Sequence, residues 1–91
     1  MKAIWKYTLP IADWQQLEMP KGSKILSVVA QYNLPVVYAL VDTEESMMER
    51  RLVWIRGTGH CVDGLNTEDW IATLVTMGGQ LVWHVFIELQ P

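Results

Sequence analysis

The sequence predicts an all-β, mainly antiparallel domain: a small sandwich or partly open barrel of about six strands, with at most one or two short helical turns. Three observations predict it. Apolar and polar residues alternate with a period of two along most of the chain, as they do in half-buried strands. The breaks between these runs are clusters of Pro, Gly and Asn rather than helix caps. Two adjacent glycines, Gly78 and Gly79, join the last two runs as a tight hairpin turn would.

The elements follow in order. Ala3, Trp5, Tyr7 and Leu9 share one face of a first strand, with Ile4, Lys6 and Thr8 opposite, and Pro10 ends it. From Asp13 to Met19 the spacing fits a short helix or a strand, and extended structure is the preferred reading. Pro20-Lys21-Gly22-Ser23 is a turn, Pro fixing φ and Gly supplying a permissive position. Lys24 to Tyr32 is a strand with Leu26, Val28, Ala30 and Tyr32 on one face. Asn33-Leu34-Pro35 leads into Val36 to Val41, whose apolar character on both faces suits a central strand covered on both sides. The acidic stretch Asp42 to Glu49 could wind one helical turn with Thr43 as its N-cap. Arg50 to Arg56 alternates again and stops at Gly57-Thr58-Gly59. Trp70 to Thr76 is read as a strand on its β-branched content, against a helix capped by Thr67. Leu81, Trp83, Val85 and Ile87 form the apolar face of the last strand, opposite Val82, His84, Phe86 and Glu88.

Ninety-one residues make one domain, 1–91, with one core. Five Trp, three Tyr and one Phe supply much of the area such a thin core needs. The formal charge of −3, with no basic stripe, disfavours non-specific nucleic-acid binding. The lone Cys61 excludes an internal disulfide and favours a reducing cytosol. No window is apolar and long enough to span a membrane, and the first residues lack a signal-peptide run, so a cytoplasmic protein is expected. Exposed strand edges on so apolar a chain predict a homodimer or larger assembly.

The candidate ligand site is Arg56, Gly57, Thr58, Gly59, His60 and His84. Glycine-rich backbone could cradle a phosphate or carboxylate there, with Arg56 and His60 supplying charge, or could simply turn the chain. His84 is read as a core or interface histidine bonded to backbone, or as one wall of a pocket. No catalytic residue is assigned, and no enzyme is expected. Adjacent His60 and Cys61 point to opposite sides of an extended chain, and Cys61 is expected to be buried and inert. Two His and one Cys without CxxC or HxxxH spacing make a poor zinc site, so neither metal nor cofactor is expected. Asp42, Glu44, Glu45 and Glu49 form an acidic cluster that could meet a basic partner or be a solvated loop. Trp14 and Trp70, nearest to turns, are candidate anchors for a partner.

The strings IWKYTLP, MPKGSKILSVVAQ, VYALVD, RGTGH and WIATLVTMGGQLVWHVFIE together resemble a family of small, largely uncharacterised proteins encoded by bacteriophages and prophages. The likeness runs nearly the whole length, with Trp70 in place of the usual Tyr or Phe and Ala72 in place of Gly. It carries no catalytic motif. It implies an accessory protein that inhibits a host defence protein by direct binding, in the cytoplasm of the bacterial host. An oligomeric sponge for a small nucleotide signal is the second expectation, with phosphate on the glycine loop and a Trp stacked on the base. A structural or morphogenesis component is the third.

Overall fold

The computed structural model describes residues 1–88. Among them seven strands form two antiparallel sheets that do not close into a barrel. They are β1 (Lys2–Thr8), β2 (Trp14–Pro20), β3 (Lys24–Gln31), β4 (Leu34–Asp42), β5 (Met48–Gly57), β6 (Trp70–Thr76) and β7 (Leu81–Ile87). The first sheet has the order β1-β4-β3 and the second β2-β5-β7-β6. The core lies between them, centred on Val37, Ala39 and Val41 of β4, Met19 of β2, Val53 and Ile55 of β5 and Val85 of β7. A single 3₁₀ turn, Thr67–Asp69, precedes β6, and a left-handed turn at Met77–Gly79 joins β6 to β7.

Each hairpin follows from its turn residues. Tyr32 and Asn33 both adopt positive φ, 51° and 65°, and make a two-residue turn between β3 and β4. That tightness draws Leu34 and Pro35 into β4, so the connection is shorter than the Asn33-Leu34-Pro35 lead expected from sequence. Asn33 Oδ1 also accepts from Met77 N at 2.8 Å, tying this turn to the β6–β7 turn. The latter holds Met77, Gly78 and Gly79 at positive φ, the backbone the adjacent glycines announced.

Three expectations change. β4 is central, but it is fully covered only on the core side, since Tyr38 and Leu40 on the outer side stay partly exposed. The ladder between β3 and β4 slips between Ile25 and Ser27, so Ile25 rather than Leu26 shares the core face with Val28 and Ala30. Simple alternation cannot register that bulge. The stretch from Thr43 to Met47 winds no helix. Thr43 Oγ1 donates to the Met1 carbonyl at 3.1 Å instead of capping, and Asp42 Oδ1 accepts from Glu44 N at 3.1 Å. The strand reading of Trp70 to Thr76 holds, and the short 3₁₀ turn before it is capped by Asn66, not Thr67.

Candidate functional site

Register across the second sheet lines up four aromatic residues. Trp14 faces Trp54, Trp54 faces Phe86, and Phe86 faces Trp70, one from each of its four strands. These positions lie on the outer face, away from the core residues Val53, Ile55 and Val85. Trp14 and Trp70 are half exposed at the two ends of the row. Trp14 and Trp54 rings sit 6.2 Å apart at a tilt of 37°, a favourable aromatic separation.

Phe86 is buried despite facing outward. The segment between β5 and β6 covers it, and together they frame a cleft of about 310 Å³. Trp54, Phe86 and Leu65 give it apolar surface, while Asp63, Asp69 and Glu88 bring three carboxylates to its lining.

Arg56 also lines this cleft, yet most of its donors are taken. Its Nη1 donates to the carbonyls of Asp13 at 2.7 Å and Ile55 at 3.1 Å, and its Nε to that of Cys61 at 3.1 Å. The guanidinium lies 5.8 Å from the Trp54 ring centroid, a cation–π arrangement. Arg56 is therefore a strap that binds the β1–β2 connection and the covering segment to the sheet.

His84 does similar work one strand away. Its Nε2 lies 2.8 Å from Thr58 Oγ1 and its Nδ1 3.0 Å from Thr73 Oγ1, which also accepts from Trp70 Nε1 at 3.2 Å. Both ring nitrogens are engaged with hydroxyls rather than with backbone, which corrects that expectation. This chain of contacts fixes Trp70 at the end of the aromatic row.

The Gly57-Thr58-Gly59-His60 segment is folded in on itself. Gly57 N donates to His60 Nδ1 at 3.3 Å, His60 N to the Gly57 carbonyl at 3.0 Å, and Thr58 N to the Val82 carbonyl at 3.3 Å. A Cβ on Gly57 would stand 3.0 Å from the His60 ring, and Gly59 holds φ at +90°. The glycines thus have local structural reasons, and three of the four amides that would cradle an anion already have partners. Cys61 is exposed rather than buried, with Sγ accepting from Asp63 N at 3.4 Å.

The acidic cluster is split between separate environments. Asp42 Oδ1 and Glu44 Oε2 meet the Met1 ammonium at 3.4 and 3.0 Å. The Glu44 amide, and then that ammonium, hold the Asp42 carboxyl below the usual carboxylate range. Glu49 turns inward and pairs with Arg51 at 3.3 Å. Glu45 is partly buried. Among the described residues no group of three His, Cys, Asp or Glu side chains is placed to hold a metal ion, and no helix is long and apolar enough to cross a membrane.

Sequence reasoning singled out Trp14 and Trp70 but missed Trp54 and Phe86 between them, and it missed Asp63, Asp69 and Glu88. Strand order is what joins them, and no local pattern encodes it.

A protein-family profile described as a domain of unknown function, DUF7352, matches residues 1–91. The chain belongs to this family. No curated protein and no solved structure matches it.

Proposed function

We propose that the chain is a non-catalytic protein-binding module whose aromatic row and acid-lined cleft take a basic segment of a partner protein. The observation that carries this reading is the cleft itself, where Trp54 and Phe86 share the lining with Asp63, Asp69 and Glu88, three carboxylates against the single cation Arg56. Aromatic surface beside carboxylates suits an arginine or lysine side chain, which stacks its planar or aliphatic part and pairs its charge. The exposed Trp14 and Trp70 extend the contact beyond the cleft. The likeness to phage proteins makes a host defence protein the partner we favour, met in the bacterial cytoplasm.

The nucleotide sponge gains less support. A phosphate would meet three carboxylates at the cleft and mostly committed amides at the glycine segment. Self-association belongs to the proposal as well. Ile4, Leu26 and Val29 are exposed, and register puts Ile4 and Val29 on the outer face of the first sheet.

The test is affinity capture from bacterial lysate with the wild-type chain, Trp14→Ala with Trp70→Ala, and Asp63→Lys with Asp69→Lys. A protein retained by the wild type and lost from both double variants supports the reading. Retention by both variants removes it.

A further inference from the structure

A second cavity, of about 270 Å³, opens at the end of the sandwich beside the β2–β3 turn, away from the aromatic row. Ile25 of β3, Ile71 of β6 and Ile87 of β7 give it apolar walls drawn from both sheets. Ser23, Lys24 and Arg51 supply its polar groups.

Arg51 is the unusual member. Its side chain is only 10% exposed. Nη2 donates to the Ser23 carbonyl at 2.7 Å and lies 3.3 Å from Glu49 Oε1, which itself accepts from Gly22 N at 2.7 Å. The buried Nε has no hydrogen-bond partner among the described residues. Buried guanidinium donors without acceptors are costly, so an arginine kept in this state marks a place to look for an anion. Lys24 and Arg51 bring two cationic side chains to the lining of this cavity, beside its apolar walls.

Backbone irregularity converges on the same place. The strand ladders slip at two points, between Ile25 and Ser27 and between Trp70 and Ala72. Ile25 borders the first slip and Ile71 is the extra residue of the second. Bulges re-aim side chains and are common beside binding sites, and both of these aim isoleucines at one cavity.

We propose that this cavity binds a small aliphatic monocarboxylate, its carboxylate on Arg51 and Lys24 and its chain among Ile25, Ile71 and Ile87. The volume suits a short chain rather than a long fatty acid or a nucleotide, since sites for drug-sized ligands start near ~300 Å³. This site is independent of the protein-binding reading.

The probe is hexanoate, titrated into the isotopically labelled full chain while the isoleucine methyl signals are followed by NMR. Hexan-1-ol keeps the chain without the charge, and acetate keeps the charge without the chain. Saturable shifts of Ile25, Ile71 and Ile87 at low millimolar hexanoate, at least tenfold weaker for both analogues, are expected. Ile71→Trp, which fills the cavity, should abolish them, and Lys24→Gln should weaken them severalfold; both leave the buried Arg51–Glu49 pair in place. No saturable shift with hexanoate, equal binding of hexanol, or undiminished binding by Ile71→Trp would each overturn the proposal.

Discussion

His84 and Thr58 stand 2.8 Å apart, imidazole Nε2 to hydroxyl, and this contact pins the start of the cleft's covering segment to β7. Thr58→Val keeps the side-chain shape and removes the hydroxyl. It should lower stability by about 1 kcal/mol, read as a fall in Tm of about 4–8 °C for a domain of this size. Hydrogen exchange should speed up selectively from Cys61 to Asn66. Uniform acceleration across all strands would mean that the contact does not act locally.

Arg56 is the stronger strap. Replacing it by Met retains much of the stem over Trp54 but leaves the carbonyls of Asp13, Ile55 and Cys61 without these donors. A loss of roughly 2–3 kcal/mol in chemical unfolding is expected, since bonds to a charged donor contribute about 1.5–3 kcal/mol. Lys at this position offers one ammonium in place of a fork and should recover less than half of it. Full recovery by Lys would show that charge alone matters there.

Tyr7 tests the core. Its hydroxyl is buried with no partner among the described residues, and burial pushes the phenol above its ordinary value. Tyr7→Phe removes an unsatisfied group, so stability should be unchanged or raised by up to about 1 kcal/mol. The folded state holds this proton more tightly than the unfolded one. Stability is therefore insensitive to this group below about pH 10 and falls as the pH rises further. The alkaline fall should shrink in Tyr7→Phe. A clear loss of stability at neutral pH would contradict the assignment.

At acid pH the sign is opposite. The Asp42 carboxyl is held below its ordinary value by the Glu44 amide and the Met1 ammonium, so it contributes stability above the unfolded carboxylate pKa, about 3.9, that is lost as the pH falls. Asp42→Asn should flatten that part of the acid-unfolding profile. An unchanged profile would mean that the turn holds without the charge.

How much of this was readable in advance follows from the range of each interaction. Alternation from Ala3 to Leu9 and from Leu81 to Ile87, and the Gly78-Gly79 turn, are local and were legible. Leu26 is misplaced by alternation because it is the bulged residue, and the bulge puts Ile25 rather than Leu26 on the face of Val28 and Ala30. The acidic cluster looked continuous from Asp42 to Glu49, but Glu49 already belongs to β5 and points inward at Arg51. Trp14 and Trp70 stood out by their place beside turns. Their link through Trp54 and Phe86 follows the order β2-β5-β7-β6, of which only the β6–β7 step is a local hairpin, and composition and spacing cannot supply the other two.

The protein-binding reading stands or falls on what the aromatic row accepts. The direct measurement is an NMR titration following the indole N–H signals of Trp14, Trp54 and Trp70, with a tri-arginine peptide in one arm and a cyclic dinucleotide in the other. The peptide should move all three signals, less so at high salt and less again in Asp63→Asn with Asp69→Asn, while the dinucleotide leaves them in place. Indole shifts driven by the dinucleotide and not by the peptide would contradict the reading and restore the nucleotide sponge.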